Sequence, residues 1–462
     1  MPIRSVMTET PSIVWLRQDL RLADQAAFAA AAREGPVVAL HVLDEATPGH
    51  RMTGAAQRWW LHHSLAALGD ALARHGVPLV LKRGDVLGQV AGLAAALGTR
   101  RVHALRHYEP WWQQAERRLA RAVDLALHDG TRLIPPDRVR TGSGSRYRVF
   151  TPFWNALHAL MPPPAPSPVP DGLRGPGSAV AGDPLDAWGL LPTRPDWARG
   201  FGVWQPGEAG ARARLHEVDA ALIAAYAHDR NLPSEVGTSR LSPHLTMGEV
   251  SPATIWHHCA GMPHATAFLR EVAWRDFAAN VIDLRPDYGR ANGRAAYDRF
   301  PWRTGAAADH DFAAWSRGRT GYPIVDAGMR QLWATGWMHN RVRMISASFL
   351  TKHLLIDWRR GERWFWDTLV DADYCNNSVN WQWVTGTGAD ANPFGRIMAP
   401  LLQSAKFDAA GYIRSWVPEL AGLDDAAIHD PHGAGRAPRD YPEPLIGHRA
   451  ARERALAAAR GI

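Results

Sequence analysis

Cysteine is nearly absent from this 462-residue chain, which has only Cys259 and Cys375. Two cysteines make no disulfide framework and no CxxC metal cluster. Lysine is almost as scarce, limited to Lys82, Lys352 and Lys406, so the 52 basic residues are nearly all arginine. No stretch approaches the roughly 20 apolar residues of a membrane helix. The opening MPIRSVMTETPSIVWL has neither the charged leader nor the apolar run of a signal peptide. A cytoplasmic protein without membrane contact is the expectation. GxGxxG and P-loop sequences are missing, which leaves a dinucleotide fingerprint in the N-terminal half unsupported. GxSxG is missing too, and with it the elbow of many serine hydrolases. Histidine is plentiful at 21, but His62-His63 and His257-His258 are adjacent pairs that diverge on a helix, so no metal site is expected.

What is abundant is tryptophan: 21 residues, twelve of them after residue 250. Core filling explains most, because an indole buries a large area, but not those set inside polar motifs. Hydrophobic content of 46% with 21% charged residues fits a globular chain, here long enough for two or three domains. The net charge of +7, carried by guanidinium groups, suits bidentate phosphate contacts and makes nucleic acid a candidate partner. A GC-rich genome gives the same composition.

The first 140 residues alternate β-branched runs with Ala- and Leu-rich stretches. SIVWL (12–16), PVVALHVLD (36–44), PLVLKRGD (78–85), RVHALRHY (101–108) and TRLIPP (131–136) read as buried strands, between helical patterns at 54–75, 86–97 and 110–129. This implies an α/β doubly wound parallel sheet with ligands at the carboxyl ends of its strands. Residues 141–205 break the pattern: MPPPAPSPVPDGLRGPGSAVAGDP holds neither helix nor central strand. The segment reads as an interdomain linker wrapped over the surface. From 206 onward the pattern is helical, with Ser251 before Pro252 as one helix start. The expected architecture is an α/β domain over 1–140, a linker over 141–205 and an all-α domain over 206–462.

Several stretches carry candidate chemistry. In GTSRLSPHLTMGEVSP (237–252), Thr238, Ser239 and Ser242 offer hydroxyls and free N–H groups near a helix start, which suits a phosphate. Ordinary capping explains them too. In FLREVAWRDF (268–277), Glu271 and Arg275 share a helical face, as they would in a plain surface ion pair. In TGWMHNRVRM (335–344), Asn340 and Met344 share a face while Arg341 and Arg343 leave by others. Arg343 suits a carboxylate of DADYCNNSVNWQW (371–383) and Arg341 a phosphate, unless this helix only has a solvated basic side. FGRIMAPLLQSAKFD (394–408) adds Arg396, Gln403 and Lys406, compatible with a nucleic-acid backbone. The crowding of acid, amide and indole in 371–383 suits a site that moves electrons rather than one that hydrolyses a bond.

Taken in order, IVWLRQDLRLAD, GTSRLSPHL, AWRDF, GRTGYPIVDAGMRQLWATGWMHNRVRM, DADYCNNSVNWQW and KFDAAGYIRSWVPEL resemble the DNA photolyase/cryptochrome family over essentially the whole chain. The resemblance implies a U-shaped FAD inside the all-α C-terminal domain. It places Tyr226, Thr238, Ser239, Leu241 and Ser242 at the phosphates and neighbouring groups. Arg275, Asn340, Arg343, Asp371 and Asp373 would surround the flavin and ribityl chain. Arg240 and Phe268 join the cofactor contacts, Phe268 standing where the family often has Trp. Asn377 would face flavin N5, where an amide bonds without delivering an acidic proton; plant-type cryptochromes usually carry a carboxylic acid there. The family's electron chain maps onto Trp381, nearest the flavin, then Trp358, then Trp302 outermost.

Within the family, six-four photolyases resemble a pattern with two histidines where Asn340 and Met344 stand here, and need them for proton transfer. About forty residues follow WVPEL (416–420), against the long signalling extension of many cryptochromes. Glu271, Asn340, Met344, Asn377 and Trp383 match the cyclobutane pyrimidine dimer pattern. The implied function is light-driven repair, in which photoexcited reduced FAD gives an electron to a flipped-out dimer, splits it and recovers the electron. The alternative is a blue-light photoreceptor without repair. UV-damaged DNA is the implied partner, held by Arg230, Arg341, Arg396, Gln403 and Lys406. Glu271 would bond the flipped bases, Trp383 would line their cavity, and Trp274 and Met344 also face the DNA. For an antenna in the α/β domain a folate is expected, with a deazaflavin, another flavin or none as alternatives. Tyr108, Glu109, Trp111 and Trp112 are its candidate lining, unless they only cap a strand. A monomer is expected. Two departures stand out: FAANV (277–281) lacks basic residues some members have there, and FGRIMAP replaces YFRIFNP.

Overall fold

The structure, a computed structural model, describes residues 9–391 and 394–460; the leader reading of residues 1–8 lies outside them. Strands β1 (Ser12–Leu16), β2 (Val37–Leu43), β3 (Leu79–Arg83), β4 (Arg101–Leu105) and β5 (Asp124–His128) form one parallel sheet in the order β3-β2-β1-β4-β5. Helices α1 (Ala26–Glu34), α2 (Ala55–Ala73), α3 (Val86–Ala96) and α4 (Pro110–Leu119) are the crossovers. β1 and β2 are buried throughout, which is why they read as unbroken apolar runs.

The fifth strand is not TRLIPP but DLALH, and α4 ends at Leu119 instead of running to 129. Prolines 135 and 136 have no N–H for a ladder. Leu133 packs into the helical half instead, and Ile134 N donates to Asp276 Oδ1 at 3.1 Å. β5 is a half-exposed edge strand of Ala and Leu, whose composition imitates a helix. α1, mostly alanine, went unread.

Residues 141–205 are more structured than a linker. α5 (Phe150–His158) buries Phe153, Trp154 and Leu157 in the helical core. The proline-rich run beyond it follows the sheet edge, with Val37 N donating to Arg174 O and Asp183 N to Leu81 O.

The helical half comprises α6 (Glu208–His216), α7 (Ala220–Asp229), α8 (Ser242–Met247), α9 (Pro252–Cys259), α10 (Thr266–Leu284), α11 (Ala306–Ser316), α12 (Pro323–Thr335), α13 (Asn340–Ser348), α14 (Trp358–Thr368), α15 (Tyr374–Thr385), α16 (Pro400–Lys406), α17 (Ala410–Trp416) and α18 (His448–Ala459). Residues 421–447 form turns, where continuous helix was expected. α10 has no Gly or Pro in nineteen residues and packs against α5, α7, α9 and α15. Ser251 caps α9 by accepting from Thr254 N at 2.9 Å, with Pro252 in the first position.

Polar contacts fix the carboxyl ends of the sheet against α8. Leu20 N donates to Met247 O and Arg21 Nη1 to Gly248 O, both at 3.0 Å. Gly248 has φ +67, and a Cβ there would lie 2.3 Å from Gln18 O, so only glycine permits this approach. Buried Glu249 accepts from Trp60 Nε1, Ser64 Oγ and Gly207 N and pairs with His244 Nδ1. Among the described residues no helix is long and apolar enough to cross a membrane.

Candidate functional site

A cavity of about 1100 Å³ opens into the helical half, walled by α7, α8, α10, α13 and α15. Tyr226, Thr238, Ser239, Arg240, Leu241, Ser242, Phe268, Arg275, Asn340, Arg343 and Asp371 all line it. Thr238 to Leu241 form the turn leading into α8, bent by Arg240 at φ 51, whose guanidinium lies 5.4 Å from the Trp337 ring. Arg343 forks onto Asp371, its Nη1 and Nη2 donating to Oδ1 at 3.1 Å and Oδ2 at 2.9 Å. That bidentate pair holds the Asp371 carboxylate at the wall.

Two expected cofactor residues do not line this cavity. Asp373 caps α15, accepting from Asn376 N at 2.8 Å, and faces a neighbouring recess with Arg275, Leu245 and Thr246. Asn377 turns towards α14, its Nδ2 donating to Glu362 O at 2.9 Å and Glu362 Oε1 at 2.8 Å.

Do these walls fit FAD? Three hydroxyls cluster at one turn, and Leu241, Leu245, Ile255, Phe268 and Val272 supply apolar surface for rings. Arg275 is only slightly exposed; its Nη2 donates to Leu245 O at 3.1 Å and lies 3.7 Å from Asp373 Oδ2, while its buried Nη1 has no hydrogen-bond partner. Burial, then neighbouring Arg132, pulls the Arg275 guanidinium down to about 10. One guanidinium nitrogen without a partner, beside hydroxyls, leaves room for a further acceptor, as the diphosphate of FAD would be. The lining fits the cofactor in its hydrogen-bonding groups and apolar surface.

Towards the opening, Glu271 pairs with Arg230, and both line the cavity with Trp274. Trp274 Nε1 donates to Asn380 Oδ1 at 3.0 Å. Trp383 is not in the main cavity; it shares a recess of about 250 Å³ with Trp274 and Phe277. Arg341 lies over Phe407 at 4.6 Å, donates to Asn231 Oδ1 and approaches Met344 Sδ at 3.9 Å. Burial, then Arg230 and Arg396, lowers Arg341 from its ordinary value, the mark of a basic cluster. Lys406 and Arg396 are exposed and Gln403 is half-buried.

Of the tryptophans, Trp381 and Trp358 are buried and Trp302 is half-buried. Trp358 Nε1 donates to Asn292 Oδ1 at 2.9 Å. Trp302 packs on Phe300 at 4.3 Å between ring centroids, and Trp381 meets Phe365 at 5.0 Å and Trp315 at 6.4 Å. In the α/β half, Trp111 and Trp112 line a cavity of about 610 Å³ at the ends of β1 and β2. Tyr108 is instead buried in the helical core, and Glu109 sits with His107 in the recess between the halves.

The sequence reading missed Thr246, Trp337, Met338, Asn376 and Asn380, which also line the main cavity. All five stand inside quoted motifs. Asn376 and Asn380 are four apart and so share a face of α15, a spacing that marks them once the face is known.

Known proteins bear on this geometry. A family model described as the FAD binding domain of DNA photolyase matches residues 268–461, and one described as DNA photolyase matches 12–171. The chain is 45% identical to a deoxyribodipyrimidine photo-lyase of Agrobacterium fabrum, covering 97% of each. It is 33% identical to cryptochrome-1 of Arabidopsis thaliana over 94% of this chain and 68% of that one. A crystal structure of a bacterial class III photolyase from Agrobacterium tumefaciens matches with TM-score 0.92 and 44% identity, over 100% of this chain and 99% of that one. With both family models in chain order and such identity along nearly the full length, the chain belongs to the DNA photolyase/cryptochrome family.

Proposed function

We propose that the chain is a deoxyribodipyrimidine photolyase, which repairs cyclobutane pyrimidine dimers in UV-damaged DNA. Thr238, Ser239, Ser242, Arg275, Arg343 and Asp371 would hold FAD, which when bound would supply the light-driven, reversible electron transfer that opens the cyclobutane ring. The observation that carries this reading is the continuity of one cavity. Its lining combines Thr238, Ser239, Ser242 and Arg275, suited to the diphosphate, with Glu271, Trp274 and Asn340, suited to the bases. Arg230 holds Glu271 in place as a hydrogen-bonding group for a flipped dimer. Trp274 and Trp383 present ring faces for stacking it. Asn340 and Met344 leave no imidazole at those two positions for acid–base work.

Arg230, Arg341, Arg396, Gln403 and Lys406 hold the phosphate backbone around the mouth. Trp381, Trp358 and Trp302 carry electrons inward when the cofactor has become oxidised. Residues 206–462 hold cofactor and DNA, residues 1–140 hold the antenna, and residues 141–205 join them. We read the protein as a monomer. The antenna, in our reading a folate, lies beside Trp111 and Trp112, where a doubly wound sheet takes its ligands.

The test is illumination of FAD-loaded protein with dimer-containing duplex, scoring intact thymines against a dark control. Light-dependent restoration is expected. Binding without restoration would replace repair with the photoreceptor reading.

A further inference from the structure

Arg51 belongs to the α/β half, in the loop between β2 and α2; it lines the cavity read as the antenna's and has no place in the binding walls proposed for FAD or DNA. Its side chain is nevertheless buried and reaches across to α14. Arg51 Nη1 donates to both carboxylate oxygens of Glu362, at 2.6 and 2.7 Å, and Nη2 donates to Gly289 O at 3.0 Å. The guanidinium also lies 5.6 Å from the Trp366 ring and 5.2 Å from that of Tyr374. The loop around it is fastened to α14: Trp366 Nε1 donates to Met52 O at 2.8 Å, and Ala55 N donates to Asp367 Oδ1 at 2.9 Å. A Cβ on Gly54 would lie 2.2 Å from Trp366 O.

Glu362 is wholly buried and, besides Arg51, takes two hydrogen bonds from Asn377: one on its carbonyl at 2.9 Å, one on Oε1 at 2.8 Å. Both acceptors only accept, so the nitrogen of the amide must face them and both its hydrogens are used. What remains for Asn377 to present is its carbonyl oxygen. Burial pushes Glu362 up from the ordinary carboxylate range, and Arg51 is the largest force pulling it back.

We propose that Arg51 is a positioning residue for Asn377, acting through Glu362: a cation from the α/β half keeps the carboxylate in place, and the carboxylate holds the amide nitrogen, leaving the amide oxygen as the group free to meet a cofactor. This rests on the reading that Asn377 stands nearest flavin N5. An amide oxygen accepts the N5–H of a reduced flavin and has nothing to offer the bare N5 of an oxidised one. The orientation therefore favours the reduced cofactor that repair requires.

The experiment is a redox titration of FAD-loaded protein carrying Arg51→Gln, Glu362→Gln, both together, or Asn377→Leu. Arg51→Gln and Glu362→Gln are each expected to lower the ratio of reduced to oxidised cofactor about tenfold at fixed potential, about 30 mV for a two-electron couple. The double variant is expected to go no further than the larger single one, because the residues act in series. A mere field effect gives opposite signs, since one variant removes a positive charge and the other a negative one. Opposite shifts, no shift, or additive shifts would overturn the proposal. If Arg51→Gln alone fails to fold, with Glu362 left unpaired, Glu362→Gln and the neutral double variant decide by the same criteria. Asn377→Leu separates the two levels: should it leave the potential unchanged, the placement of Asn377 at the flavin falls; should it shift while the other variants do not, only the role of Arg51 falls.

Discussion

A methyl group at position 361 would lie 2.2 Å from Cη2 of Trp381 and 2.5 Å from Leu350, so α14 needs glycine where the indole of α15 lies against it. That contact seats one side of the ring. Phe365 at 5.0 Å and Trp315 at 6.4 Å close the other sides. In the proposed electron route an indole so held would be a defined stepping stone, and phenylalanine fills nearly the same space without being readily oxidised. Trp381→Phe is therefore expected to abolish light-driven reduction of oxidised bound FAD, followed by absorption in the presence of an external reductant. Dimer splitting by protein reduced beforehand should persist. Unchanged photoreduction would remove Trp381 from the route.

Elements differ in how openly their sequence announces them. β1 to β4 could be read because apolar β-branched runs end at charged or glycine-bearing turns, while β5, edge-exposed and built from Ala and Leu, could not. For α15 the motif was plain but its rotation was not. Asn376 and Asn380 face the cavity and Asn377 and Trp381 face α14, a phase decided by packing rather than by the thirteen residues themselves. The Arg51–Glu362 pair spans 311 positions, and no local pattern reports such a contact. A further element that periodicity does not reveal is the π-helical turn Phe349–His353 after α13. It buries Lys352, whose Nζ donates to Arg396 O at 2.8 Å and sits 5.4 Å from the Phe394 ring. Burial, then Arg396, pulls this ammonium from 10.5 down to about 7. Between those values the unfolded chain binds a proton that the folded chain refuses, so folding loses stability as pH falls from about 10.5 to about 7 and no more below. Lys352→Met has no such term. Its melting temperature, measured against the unaltered protein, should gain ground as pH is lowered from about 10 to 7 and level off beneath; a margin independent of pH would mean that Lys352 titrates normally.

At the scale of the whole molecule, a net charge of +7 says little until its distribution is known. Many arginines are spent internally, on Glu362, Asp371, Glu116, Asp283 and Glu419. Around the cavity mouth the balance differs: Arg230, Arg341 and Arg396 are close enough for two of them to depress the third, and Lys406 is exposed nearby on α16. Glu271 pairs with Arg230 and also attracts Arg341. A cluster of this kind is stabilised by phosphates, whose condensed counterions are released on binding. Four such contacts give a slope of about −3.6 in log affinity against log salt, roughly a 150-fold loss between about 50 and 200 mM. Damaged duplex should follow that line in a filter-binding or fluorescence titration. Arg341→Gln should weaken binding at all salt concentrations and make the slope shallower by about one unit, with the charge of FAD-loaded protein otherwise unchanged. A slope near zero in the unaltered protein, or one that Arg341→Gln leaves as steep as before, would show that the phosphate backbone is held somewhere other than this mouth.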